Sequence, residues 1–208
     1  MTSLYRITLA VASLALLVAY VAPIWSISLE APQYPEGIGM YIWINQITGQ
    51  KPHDLQNING LNHYIGMKAI TPETITELKV IPWVIAFLIG LGLVAAATGK
   101  PVMLGIWVGL FLTCTVAGLI DFHLWEYDYG HNLDPTAAIK IPGMHYQPPF
   151  IGTKKLLNFT AHSWPALGGW IAFSSLLTGI VLLISQIRTS ASARSQKNGI
   201  HSDPRPHE

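Results

Sequence analysis

Four long stretches of this chain contain no charged residue, and that limits its possible folds more than any other feature. No Asp, Glu, Lys or Arg falls between Arg6 and Glu30, between Lys79 and Lys100, between Lys100 and Asp121, or between Lys155 and Arg188. A helix of roughly 20 apolar residues crosses the hydrocarbon core of a bilayer, and each gap can hold one. A core helix of a soluble bundle would show a polar face on a 3.6-residue period. Residues 84–97 and 103–115 show none. Only 11% of the 208 residues are charged, against roughly 25% in an average soluble protein.

These observations predict an all-α membrane protein with four transmembrane helices, at about 5–25, 80–98, 102–123 and 166–187. The helices form one domain over 1–187, with two sizeable, partly ordered segments, 26–79 and 124–165, on one side of the membrane. Residues 188–208, polar and poor in apolar side chains, read as a disordered tail. The first span is too long for the apolar core of a secretory signal, and Pro23-Ile24-Trp25-Ser26 makes a poor cleavage site. It reads as an uncleaved anchor.

Orientation follows from the basic residues, which collect on the cytoplasmic side of membrane proteins. All four arginines lie near the N-terminus or in the tail, and Lys100 occupies the turn between the second and third spans. Counting Asp121 with it, the side carrying 26–79 and 124–165 holds nine acids and six lysines, a net −3, against a net +4 on the other. Both termini are therefore expected in the cytoplasm, with the two long segments on the opposite side of the membrane. The single cysteine, Cys114, lies mid-span and forms no intrachain disulfide. No nucleic-acid partner is expected; the bilayer is.

Within the first segment, Ile27-Ser28-Leu29-Glu30 and Met40-Tyr41-Ile42-Trp43-Ile44 are strand candidates by their β-branched and aromatic content. Thr71-Pro72-Glu73 opens a short surface helix, with a capping residue, a first-turn proline and an acid in order. The stretch 121–169 is the richest in possible metal ligands. It carries His123, His131, His145 and His162 with Met144 and four carboxylates, among them Asp128. Imidazole suits copper and zinc, and thioether selects Cu(I), so a His/Met set points to copper first. His63 and Met67 are four apart and share a face if their segment is helical. Met144 and His145 are adjacent and point opposite ways if theirs is extended. The candidate metal ligands are thus His63, Met67, His131, His145, Met144, His123, His162 and Asp128. The plainer alternative is that each hydrogen-bonds or packs locally. Haem is a weaker candidate, with His123 and His162 the available pair. Phosphate-binding and hydrolase motifs are missing, so a non-enzymatic role is expected.

Several stretches resemble one known family as a set. They are Leu29-Glu30-Ala31-Pro32-Gln33-Tyr34-Pro35-Glu36-Gly37, Leu61-Asn62-His63-Tyr64-Ile65-Gly66-Met67 and Trp125-Glu126-Tyr127-Asp128-Tyr129-Gly130-His131-Asn132-Leu133-Asp134-Pro135. Tyr146-Gln147-Pro148-Pro149-Phe150-Ile151-Gly152 and Leu156-Leu157-Asn158-Phe159 complete the set. The family consists of small bacterial four-helix membrane proteins associated with gene clusters for nitrous oxide reductase and its NosL-type copper chaperone. The resemblance covers about residues 27–170. It implies copper handling, or maturation of a copper enzyme, outside the cytoplasmic membrane, with a periplasmic copper chaperone or cuproenzyme as partner. His63, Met67, Asp128 and His131 lie inside its motifs. Two other roles compete: a non-catalytic subunit or docking scaffold of a respiratory complex, and an enzyme acting on quinol or lipid.

Overall fold

The computed structural model describes residues 1–156 and 158–200. Four helices are long and apolar enough to cross a membrane: Ser3–Tyr20, Glu77–Thr98, Pro101–His131 and the Leu167–Ser192 part of the last helix. The first is α1 (Ser3–Ala15), continued by a 3₁₀ turn over Leu16–Tyr20. The others are α3 (Glu77–Thr98), α4 (Pro101–His131) and α5 (Leu167–Ile200). They pack around Leu9, Leu16, Leu88, Leu104, Trp107 and Phe111. Trp107 is fully buried, and its indole N–H donates to the Leu88 carbonyl at 2.8 Å, so its polar edge is satisfied inside the bundle. Large apolar side chains such as Val11, Phe87, Val102 and Leu177 point outward. Such a surface needs lipid to cover it.

The expected all-α class is overturned, because the two long segments build a five-stranded antiparallel sheet and the protein is mixed α/β. Strands β1 (Trp25–Ala31), β2 (Tyr34–Ile42) and β3 (Ile47–Gly49) come from the first segment. Strands β4 (Gly152–Leu156) and β5 (Phe159–Pro165) come from the second, and the order is β3-β2-β1-β5-β4. β1 is central, pairing Ile27 with Met40 on one side and Ser163 on the other. The physical reason is edge satisfaction. A lone hairpin leaves two rows of backbone donors and acceptors open, and a second hairpin from the other segment closes one of them.

Below the sheet lies a second core of Trp25, Ile27, Ile38, Met40, Ile47, Ile58, Ile70 and Leu78. Helix α2 (Asp54–Ile65) packs against it. Asp54, buried at the start of α2, accepts from the backbone N–H groups of Gly39 and Lys51 and ties helix to sheet. Thr71 leads only into a single 3₁₀ turn, Pro72–Thr74, rather than a surface helix.

Boundaries shift at the helix ends. α4 runs eight residues beyond the expected end at 123, to His131. Its 31 residues measure about 46 Å at 1.5 Å each, well beyond a bilayer core of roughly 30 Å. The part past Asp121 joins Phe122, Trp125 and Tyr129 to the sheet's core. α5 continues to Ile200, past the expected start of the tail at 188, and residues 201–208 of that tail lie outside the described residues. At the end away from the sheet, the Met1 ammonium reaches the Gly99 carbonyl at 3.2 Å, and Arg6 donates to Ala96 and Ala97. The N-terminus and the Gly99-Lys100 turn thus share one end, and the sheet occupies the other.

Candidate functional site

The projecting end of α4 organises the chemistry. On a helix, residues three and four apart share a face, so Phe122, Trp125, Glu126, Tyr129 and Gly130 line one side and His123, Tyr127 and His131 another. The extended segment 144–148 runs alongside. Tyr146 N–H donates to the Gly130 carbonyl at 3.0 Å. A Cβ on residue 130 would lie 2.5 Å from the Gln147 backbone, so only glycine admits this approach. Because side chains alternate along an extended segment, His145 is exposed while Tyr146 is buried.

On the exposed side three rings stack in a column. Tyr127 and His131 lie 3.9 Å apart between centroids, and His131 and His145 4.2 Å apart with planes 28° from parallel. His131 Nδ1 sits 3.0 Å from the Tyr127 carbonyl. A carbonyl only accepts, so Nδ1 is the donor in that contact, and in the neutral ring this tautomer leaves the lone pair on Nε2. Met144 precedes His145 and is half-buried.

The remaining candidates do not join that pair. α2 stops at Ile65 and Gly66 turns left-handed, with φ 82°. The Met67 N–H then returns to the Asn62 carbonyl, a helix-ending motif that separates His63 from Met67. His63 is exposed, edge-on to Tyr64, whereas Met67 lines an apolar cavity. The shared face expected for these two therefore does not form. His123 meets the edge of Phe150. His162 lies 2.8 Å from the Thr153 hydroxyl and 3.7 Å from Glu30, so the pair considered for haem is divided between separate neighbours. Asp128 pairs with Lys68 at 2.6 Å, and that ammonium holds its carboxyl below the ordinary range. Among the described residues, no three His, Cys, Asp or Glu side chains gather as a metal-holding group.

On the buried side of α4, sequence reasoning passed over two residues. Glu126 is 1% exposed, and neither carboxylate oxygen has a hydrogen-bond partner. The buried Tyr146 hydroxyl is also unpartnered. Both line a cavity of about 80 Å³ between the sheet, α2 and α4, whose walls include Met67, Trp125, Tyr129 and Phe159. A buried carboxylate without a donor is costly, and burial pushes the Glu126 carboxyl up to about 8. The signal was present in the sequence: Glu126 interrupts the stripe Phe122, Trp125, Tyr129. It becomes readable only once the helix is carried past 123.

The fold and its two-sided α4 define a class: a four-helix membrane protein capped at one end by an antiparallel sheet. The chain matches no known family model and no curated protein by sequence.

Proposed function

We propose that this protein is a non-enzymatic accessory protein of the bacterial inner membrane, with both termini cytoplasmic and the sheet in the periplasm. It binds or relays copper there for maturation of a copper enzyme such as nitrous oxide reductase, by way of a periplasmic chaperone or the enzyme itself. The family resemblance supports the cargo, and one geometric observation supports the site. His131 and His145, fourteen positions apart, are brought ring to ring, with the His131 tautomer set to leave Nε2 free. Met144 shares the extended segment of His145 and points the other way, so the set rests on the two imidazoles. His162 and Asp128 have polar partners of their own, Met67 lines the cavity, and His63 and His123 meet other rings edge-on, so these five are left out of the set.

The test uses the full chain, purified with copper supplied, and metal analysis. Copper near one per chain, lost in His131→Ala with His145→Ala and kept in His63→Ala with His162→Ala, is the expected result. No copper in the unaltered protein, or retention in the first double variant, ends this reading. A docking scaffold for a respiratory complex then stands in its place, favoured by the local polar partners of His162 and Asp128.

A further inference from the structure

The cavity on the buried side of α4 answers to a different chemistry, independent of the copper reading. Four aromatic side chains, Trp125, Tyr129, Tyr146 and Phe159, border it, and Trp125 and Tyr129 lie 4.3 Å apart between ring centroids. Into this hydrocarbon and aromatic space face one carboxyl group and one phenol, both buried and both without partners. A purely structural carboxylate is normally hydrogen-bonded when buried. Aromatic faces carry negative potential and attract cations, most strongly where water is excluded. A partnerless carboxyl group in a partly open cavity bordered by four aromatic rings therefore suits one specific thing, a small positive charge with N–H donors.

We propose that this cavity binds a small organic ammonium, of the size of methylammonium or ethylammonium, between the Glu126 carboxylate and the rings of Trp125, Tyr129 and Tyr146. The ammonium donates to Glu126, and the Tyr146 hydroxyl supplies an acceptor. A cavity of about 80 Å³ is small for ordinary ligands, which fill pockets of roughly 300–1,000 Å³. A larger amine such as a polyamine is excluded on that ground. The site is also proton-linked. Without ligand, burial keeps Glu126 protonated at neutral pH, so the arriving cation must displace that proton. The other titratable groups facing the cavity are the Tyr129 and Tyr146 phenols. Asn62, from α2, carries no charge, and no charged group from the sheet lines the cavity.

Calorimetric titration of the full chain with methylammonium and ethylammonium tests this, with methanol and ethanol as neutral counterparts. The proposal expects saturable binding of the cations only, release of close to one proton, and affinity rising about tenfold per pH unit below pH 8. Glu126→Gln should weaken binding at least tenfold and remove the pH dependence; Tyr146→Phe should weaken it several-fold. Equal binding of the alcohols, no proton release, or no saturable binding at pH 8 overturns it and leaves a water-filled cavity. Proton release is measured on the unaltered protein, so the proposal can be decided even if Glu126→Gln fails to fold.

Discussion

At the scale of single residues, Glu126 decides the most. Its folded-state carboxyl titrates near 8 against an ordinary value of 4.5, so between those values the folded protein holds a proton that the unfolded chain has released. Stability is then fully present below about pH 4.5 and falls as pH rises, by up to ~1.4 kcal/mol per unit, levelling above about pH 8. Denaturant melts of the apo protein across pH 5–9 check the sign. Glu126→Gln should flatten the curve over this window, because the amide keeps the shape and cannot ionise. Asp128 shows the contrast. Its pairing with Lys68 is half-exposed, where ion pairs contribute little. A carboxylate near the surface and one two residues earlier on the same helix thus behave oppositely: the Lys68 hydrogen bond lowers Asp128, and burial without a donor raises Glu126.

At the scale of elements, the join between the two halves of the sheet carries the cap. Trp25, opening β1, donates its indole N–H to Ser163 on β5 at 2.8 Å, and Ser163 donates onward to the Phe150 carbonyl at 3.2 Å. Ser163 is fully buried. Ser163→Ala leaves the indole and the carbonyl both unpaired and should destabilise the protein by about 1–3 kcal/mol; hydrogen exchange should show the loss concentrated in β1, β4 and β5. Loss of protection in the helices alone would place the weak point elsewhere. β1 and β2 were half-legible in the sequence, as the runs around Ile27 and Met40. β5 was not, because Ala161 and Ser163, in the middle of its inward face, are too small or too polar to register as a hydrophobic alternation. Ser163 is polar because its hydroxyl joins the Trp25 indole to the Phe150 carbonyl.

At the scale of the whole molecule, the charge pattern and the geometry make one claim that can be tested in cells. Lys154 on β4 and Lys100 in the α3–α4 turn lie at opposite ends of the bundle. With the orientation proposed above, a membrane-impermeant maleimide should label Lys154→Cys in intact spheroplasts, and Lys100→Cys only after lysis. The reverse pattern would invert the assignment of sides and take the copper reading with it. Cys114 lies within a span and provides the internal background.

What the linear chain settled by itself was the count and rough extent of the spans, because apolar length and missing charge are local properties that a bilayer reads directly. It also marked the ligand-rich stretch, since composition needs no partner to be seen. The sheet, the ring stack and the orphan carboxyl were decided only in three dimensions. Each depends on groups far apart in sequence meeting: β1 with β5, His131 with His145, Glu126 with the underside of a sheet built from both segments. Strand pairing and burial are properties of pairs, and nothing in either member alone says which partner it will find. Of the eight candidate ligands, His131 and His145 are brought ring to ring for the same reason. Residue type records what a side chain can do, while packing decides what it is left free to do.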